Sequence, residues 1–189
     1  MTNYFKNKID KDYANKPATK IRWDKTLEFM GSGKNIKSAL DIGDRTGLTE
    51  MMEDKYGVKF DNTQGDLDKI ELKGNYDLVT SFEVLEHLFN PLFNLEQINN
   101  VLNKNGCLIL STPLAKPSFL WAKKHFHEMS KRSIYALFES AGFKILRHGY
   151  FRVHPFLFYT SGIRPLMRLF LDKIQIYELV DVNSLSDDR

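Results

Sequence analysis

Apolar and polar positions along the chain follow two alternating patterns. Short apolar runs of the kind found in buried strands are followed by segments in which apolar residues recur at helical spacing. This alternation is typical of an α/β protein with an open, mainly parallel sheet and helices on both faces. The pattern predicts strands near residues 39–42, 58–61, 76–82, 107–111 and 143–148, and helices over 21–30, 48–56, 92–102, 131–141 and 163–179.

The turn after the first predicted strand has the features of a ligand site. The strand ends in Asp41 and leads through a turn bounded by Gly43 and Gly47 into a helix. Glycine lets the backbone approach a ligand closely, and the start of a helix offers unpaired N–H groups. The turn therefore indicates a nucleotide-like ligand, although a purely structural joint can have the same two glycines. Ligands of such sheets lie beyond the carboxyl ends of the strands, and the polar residues at or near those ends are Asp41, Asp61, Ser81 and Ser111.

The second strand adds another candidate residue. Asp61 follows Asp41 by 20 residues, the distance at which an acid at the end of a second strand can accept hydrogen bonds from ribose hydroxyls. Gly65 and Asp66 come almost at once, so no complete helix fits between the second and third strands. We therefore expect the fold to be shortened between the second and third strands.

Composition limits the class of protein. A chain of 189 residues, with 42% hydrophobic and 27% charged residues, is typical of one soluble globular domain. Cys107, the single cysteine, lies in an apolar run, so we expect a buried thiol. The first residues lack the apolar core of a signal peptide and no stretch is long enough to span a bilayer, which predicts a cytoplasmic protein. We divide the single domain, 1–189, into an N-terminal helical cap (1–35), a core (36–148) and an aromatic and basic extension (149–189).

Charge is distributed unevenly. The net charge is +3, but residues 116–173 contain eleven Lys and Arg against three Asp and Glu, a local charge of +8. Such a segment favours an anionic partner, either a phosphate-bearing substrate or a membrane surface, and a solvated basic face would look the same. It contains no nucleic-acid-reading motif, so we expect no nucleic acid partner. In the predicted helix 163–179, basic positions lie opposite Leu and Phe, which favours peripheral membrane contact or packing on the sheet.

Six motifs follow one another between residues 36 and 148. They are Leu40-Asp41-Ile42-Gly43 with Gly47, Gly65-Asp66, Tyr76-Asp77-Leu78-Val79, Val84-Leu85-Glu86-His87-Leu88 with Asn90-Pro91, the segment from Leu102 to Pro113, and Ala141-Gly142-Phe143-Lys144. In this order they resemble the class I S-adenosylmethionine-dependent methyltransferases, in particular the small-molecule, type 11/23-like branch.

The resemblance implies a Rossmann-like fold and S-adenosyl-L-methionine as cofactor. The expected contacts follow the cofactor from end to end: Asp41, Gly43 and Gly47 surround the methionine part, Asp61 holds the ribose, Asp66 and Leu67 address the adenine, and Ser81 and Phe82 lie beneath the sulfonium. A cationic sulfonium benefits from nearby oxygens and aromatic faces, which agrees with these residue types.

Two features depart from the family pattern. Asp44-Arg45-Thr46 stands where the family loop usually has a central glycine. Arg45 can pair with the cofactor's carboxylate, whereas Asp44 would repel it. The missing helix after the second strand also reduces the wall expected around the adenine. Two functions therefore stay open: methyl transfer to a small acceptor, anionic or lipid-linked, or a non-catalytic binding or regulatory module of the same fold.

Three histidines are candidates for catalysis. His125 and His127 lie in the loop that covers the acceptor in similar enzymes, where a histidine can act as general base, although both can equally be exposed residues at a helix entry. His87 is expected near the floor of the pocket, and its pairing with Glu86 can also be structural. The spacing of His125, His127 and Glu128 matches no familiar pair of metal ligands, so we expect no metal.

Overall fold

Helices and strands alternate along the chain in the computed structural model, which describes residues 16–33, 35–154 and 156–185. The strands are β1 (Ala39–Asp41), β2 (Phe60–Asn62), β3 (Tyr76–Phe82), β4 (Leu102–Pro113), β5 (Phe143–Phe151) and β6 (Ile174–Asp181). The helices are α1 (Pro17–Met30), α2 (Gly47–Tyr56), α3 (Pro91–Asn100), α4 (Lys131–Ser140), α5 (Phe156–Tyr159) and α6 (Ile163–Leu171), with 3₁₀ turns at Leu85–His87, Ser118–Leu120 and Val182–Leu185. The ends of the predicted cap and extension, 1–15 and 186–189, lie outside the described residues.

The six strands form one sheet in the order β2-β1-β3-β4-β6-β5. The first four strands are parallel to their neighbours in this order, and β6 runs antiparallel to both β4 and β5. The predicted α/β fold with a mainly parallel sheet is therefore confirmed. The carboxyl ends of β1, β3 and β4 meet at one edge, and the candidate residues were expected there.

Two apolar clusters cover the two faces of the sheet. Side chains alternate along β3, so that Val79 joins one cluster and Leu78 the other. The first cluster includes Leu95 and Ile98 of α3 and Ile134 and Phe138 of α4. The second includes Met30 of α1 and Leu48 and Met52 of α2. Helices thus cover both faces, as predicted.

The predicted helix over 163–179 is wrong in its second half. Helix α6 ends at Leu171, and the residues from Ile174 to Val180 are buried in a strand that lies between β4 and β5. A strand buried on both faces has no polar side, so its apolar residues can also fit helical spacing. β6 comes from the predicted extension, and the boundary at residue 148 falls inside β5.

The predicted helix over 92–102 also needs correction. Helix α3 ends at Asn100, and β4 already begins at Leu102, which pairs with Tyr76. Gly106 belongs to this strand, and a Cβ there would lie 2.7 Å from the Tyr76 carbonyl oxygen. Close packing of two strands explains this glycine. Smaller differences from the predicted bounds are that α1 begins at Pro17, β2 spans Phe60–Asn62 and β5 extends to Phe151.

The connection between β2 and β3 contains turns and no helix. This confirms that the usual helix is missing between the second and third strands, as the nearness of Gly65-Asp66 to Asp61 predicted.

Candidate functional site

The turn after β1 is held open by the end of β2. Gly43 has φ +110°, and its backbone N–H donates to the Thr63 hydroxyl at 2.7 Å. The Asn62 amide donates to the carbonyl oxygens of Asp41 and Gly43, both at 3.3 Å. A Cβ at Gly43 would have no atom within 4 Å, so the turn faces open space. Sequence reasoning missed Asn62 and Thr63, although polar residues at a strand end beside Asp61 were a usable signal.

Asp41 organises the turn from inside the protein. Its carboxylate is buried and accepts hydrogen bonds from the hydroxyls of Thr49 and Thr80, each at 2.7 Å. Burial raises the pKa of Asp41 from 3.8 to about 6, against the opposing effect of these hydrogen bonds. The carboxylate therefore joins β1, α2 and β3. The contact of Asp41 with the methionine part of a cofactor stays a prediction.

Arg45 makes a contact that differs from the predicted one. Its guanidinium forms a two-pronged pair with Glu53 of α2, at 3.0 and 2.6 Å. Glu53 also accepts from the Lys59 ammonium at 2.9 Å and the Phe60 N–H at 3.0 Å. Arg45, together with Lys59 and the Phe60 amide, holds the pKa of Glu53 well below its ordinary value. The structure thus gives Arg45 a protein carboxylate as its partner.

Helix α1 covers the turn from the side of α2. A Cβ at Gly47 would lie 2.9 Å from the Trp23 ring, so only glycine leaves room for the indole. One residue earlier, Arg22 donates to the Glu83 carboxylate at 3.3 Å. Glu83 directly follows β3 and is the non-glycine residue with a left-handed backbone among the described residues, at φ +57°. The Ser111 hydroxyl holds its other oxygen at 2.9 Å.

The remaining predicted cofactor residues lie along β2 and β3. Asp61 is exposed and accepts from the Tyr76 hydroxyl at 3.0 Å. Asp66 pairs with Lys69 at 2.7 Å, while Leu67 packs against the apolar cluster beneath α3. At the end of β3, the buried Ser81 hydroxyl has no hydrogen-bond partner in the described part of the chain. Phe82 is half-buried beside the cluster on the α1 side.

The 3₁₀ turn after β3 is bound to the long loop after β4. The Glu86 carbonyl oxygen accepts from the N–H groups of Phe126 and His127, at 2.8 and 3.3 Å. The imidazoles of His87 and His125 meet edge to face, with centroids 4.9 Å apart. Two of the three predicted catalytic histidines therefore lie together, although 38 residues separate them along the chain.

Each imidazole of this pair is oriented by a second contact. Nδ1 of His87 lies 3.0 Å from the Lys124 carbonyl oxygen, and Nδ1 of His125 lies 2.9 Å from a carboxylate oxygen of Glu128. Burial lowers the pKa of His87. Burial also raises the pKa of the Glu86 carboxyl well above its ordinary value, and nearby Glu83 raises it further.

His127 has different surroundings from His125. It lines a cavity of about 400 Å³ between the loop after β4 and helices α3 and α4. This volume is within the range of small-molecule sites. The lining is mostly apolar or aromatic and consists of Pro91, Trp121, Phe126, His127, Glu128, Met129, Ser133 and Leu137.

Several of the basic residues in 116–173 have acidic partners. Lys116 pairs with Asp172 at 2.6 Å, and Arg147 pairs with Glu178. Others are exposed, among them Lys131 and Arg132 at the start of α4. The side chains of Arg164 and Arg168 are outside the described part. Within that part, no helix has the length and apolar character needed to cross a membrane.

Comparisons with known proteins agree with this architecture. The family model described as a methyltransferase domain matches residues 18–148, more than half of the chain. No curated protein matches the chain. The fold is similar to that of the N-methyltransferase NodS from Bradyrhizobium japonicum WM9 in complex with S-adenosyl-L-homocysteine, with TM-score 0.63, 13% identity, and 92% of this chain and 93% of that chain covered.

Two further solved structures share the fold. A complex between the Haloferax volcanii Trm112 methyltransferase activator and a methyltransferase has TM-score 0.62 and 15% identity, with 82% of this chain and 87% of that chain covered. The [4+2]-cyclase SpnF has TM-score 0.57 and 12% identity, with 86% and 81% covered. These similarities show the fold, and a fold can carry more than one chemistry. The family match over 18–148, on this sheet, shows that the chain belongs to the class I S-adenosylmethionine-dependent methyltransferases.

Proposed function

We propose that the chain transfers a methyl group from S-adenosyl-L-methionine to a small acceptor that is anionic or lipid-linked. The observation that carries the cofactor part is the geometry of Gly43. Its φ of +110° is rarely adopted by L side chains, and a Cβ there would meet no atom within 4 Å. A bare backbone beside open space, at the carboxyl end of a parallel strand, is what a ligand in contact with the main chain requires.

The residues offered to the cofactor are few. Gly43 would contact the methionine part, Asp61 keeps an exposed carboxylate that could accept from ribose hydroxyls, and Ser81 has a buried hydroxyl without a described partner. Arg45 is not among them, because Glu53 engages its guanidinium. S-adenosylmethionine supplies an already activated methyl group, so the chain's task is to align two reactants and exclude water.

The cavity beside the loop after β4 supports a small acceptor. Its volume of about 400 Å³ and its aromatic lining suit an acceptor with an apolar body. The exposed Lys131 and Arg132 precede the lining residue Ser133, which favours an anionic group at the rim. His127 lines the same cavity and stays the candidate general base for an acceptor that begins protonated.

Calorimetric titration of S-adenosylmethionine and S-adenosylhomocysteine into the purified chain tests the cofactor part. We expect saturable binding by the wild type and its loss in Gly43→Ala, because the new methyl group would fill the space that the cofactor needs. Gly33→Ala is the matched control. Gly33 also has a positive φ, +91°, and open space around its Cβ position, but it lies between α1 and β1.

Both variants should lose similar thermal stability, because each places alanine in a strained backbone conformation. If Gly33→Ala weakened binding as much as Gly43→Ala, the assignment of the turn would be wrong. If the folded wild type bound neither compound, the non-catalytic module would become the better description of the chain.

A further inference from the structure

A group of potential metal ligands lies beside the proposed acceptor cavity. Glu86, His87 and His125 each offer one ligand atom, and the three atoms lie within 4.8 Å of one another. Glu86 is buried and the two histidines are half-buried. Two imidazoles and a carboxylate are the donor set of many catalytic zinc sites and of other first-row transition metals.

The surroundings of the two histidines match those of metal-binding imidazoles. A ligating histidine usually has its second ring nitrogen fixed by a carbonyl or a carboxylate. Here Nδ1 of His87 is 3.0 Å from the Lys124 carbonyl oxygen, and Nδ1 of His125 is 2.9 Å from the Glu128 carboxylate. These contacts leave Nε2 of both rings as the nitrogen available to a cation.

Three carboxylates lie in or near this group, and their hydrogen-bond partners differ. One oxygen of Glu86 accepts from the Thr112 hydroxyl at 3.2 Å, which fixes the direction of its side chain. Glu128 has no exposed side-chain surface and contacts His125. We therefore treat it as the hydrogen-bond partner of His125 and not as a ligand of the ion. Glu83 is already engaged by Arg22 and Ser111.

From this arrangement we propose that Glu86, His87 and His125 bind one divalent first-row transition metal ion. Three protein ligands leave at least one coordination position open, which a water molecule or an oxygen of a bound acceptor can fill. The ion would also join the turn after β3 to the loop after β4, since His125 is the ligand supplied by that loop. This proposal departs from the sequence analysis, which expects no metal because the spacing of His125, His127 and Glu128 matches no familiar ligand pair. In the structure, His127 lines the cavity and Glu128 contacts His125, while the group proposed here includes Glu86 and His87.

Metal titration of the full, tag-free chain tests this proposal without any cofactor or acceptor, so its result is independent of the methyl-transfer proposal. After treatment with a chelator, Co²⁺ is titrated while its visible absorption is recorded, and Zn²⁺ is then added as competitor. We expect saturation at one ion per chain and displacement by Zn²⁺. Mg²⁺ should compete poorly, because two of the three ligands are imidazoles.

Variants locate the ion. His87→Ala and His125→Ala should each weaken Co²⁺ binding by more than the roughly 10- to 100-fold loss typical of an outer partner, and Glu128→Gln should fall within that range. His127→Ala removes a neighbouring histidine outside the group and should keep the wild-type affinity. Circular dichroism confirms that each variant is folded, and Glu128→Gln retains all three ligands if an alanine variant does not fold.

Two results would overturn the proposal. One is the absence of saturable Co²⁺ binding to the folded wild type. The other is a set of variants in which Glu128→Gln and the folded ligand variants bind Co²⁺ as tightly as His127→Ala does, which would place the ion elsewhere.

Discussion

Replacing Asp41 with asparagine should change the pH dependence of stability in a defined way. Asp41 is buried between the hydroxyls of Thr49 and Thr80, and burial raises its pKa from 3.8 to about 6. Asparagine retains one oxygen that accepts from a threonine hydroxyl, and its amide can donate to the other hydroxyl oxygen. Asp41→Asn therefore preserves the shape and the contacts of the site while removing the titration.

The sign follows from the two pKa values. Below about pH 4 the carboxyl is protonated in both the folded and the unfolded state, so it does not affect the free energy of unfolding. Between about pH 4 and pH 6 only the unfolded chain ionises, so this free energy falls as the pH rises. Above about pH 6 the carboxyl is ionised in both states, so the amount by which it lowers the free energy of unfolding is constant. At about 1.4 kcal/mol for each pH unit between 3.8 and about 6, ionised Asp41 lowers the free energy of unfolding by about 3 kcal/mol.

Urea unfolding, followed by circular dichroism and by the fluorescence of the two tryptophans, measures the effect. The free energy of unfolding of Asp41→Asn minus that of the wild type should rise by about 3 kcal/mol between about pH 4 and pH 7.5. Asp77→Asn is a control of opposite sign. Hydrogen bonds from Asn103 and the Lys37 amide lower the pKa of Asp77, so its contribution is lost as the pH falls. A difference for Asp41→Asn that stayed constant with pH, or fell with rising pH, would refute the reasoning.

Two further substitutions test contacts around the site. Gly47→Ala places a Cβ 2.9 Å from the Trp23 ring, so we expect a lower thermal midpoint and a loss of about 1–3 kcal/mol, partly restored by Trp23→Leu. Full stability of Gly47→Ala alone would show that α1 does not pack as described. Tyr177→Phe removes the 2.8 Å hydrogen bond to buried Gln175, which also donates to the Met129 carbonyl oxygen, and should cost about 1–3 kcal/mol in urea unfolding. An unchanged midpoint would mean that this hydrogen bond adds nothing to stability.

The sequence predicted the parts of the fold that depend on local pattern. The βα unit around Asp41, the helix predicted over 131–141 and the missing helix after β2 are all encoded by neighbouring residues. β6 was missed because its partners are distant: Tyr177 pairs with Leu110 on one side and His148 on the other. Its buried Gln175 and Glu178 have partners from other parts of the chain, the Met129 carbonyl oxygen and Arg147, which no local pattern predicts.

The site shows the same division between local and distant information. The positive φ of Gly43 and the open space around it agree with its place in the turn, and its contact with a ligand stays a prediction. The pairing of Arg45 with Glu53 was not predicted, because no local pattern distinguishes Glu53 from the other acids of α2. The approach of His87 to His125 could have been anticipated, since the loops that follow neighbouring parallel strands meet at one edge of the sheet. The orientation of His87 could not, because it depends on the backbone carbonyl of Lys124, a group that every residue carries. Side-chain chemistry in a sequence therefore indicates which groups can meet, while the ring nitrogen that each histidine presents is decided by contacts within the folded loop, a backbone carbonyl for His87 and the Glu128 carboxylate for His125.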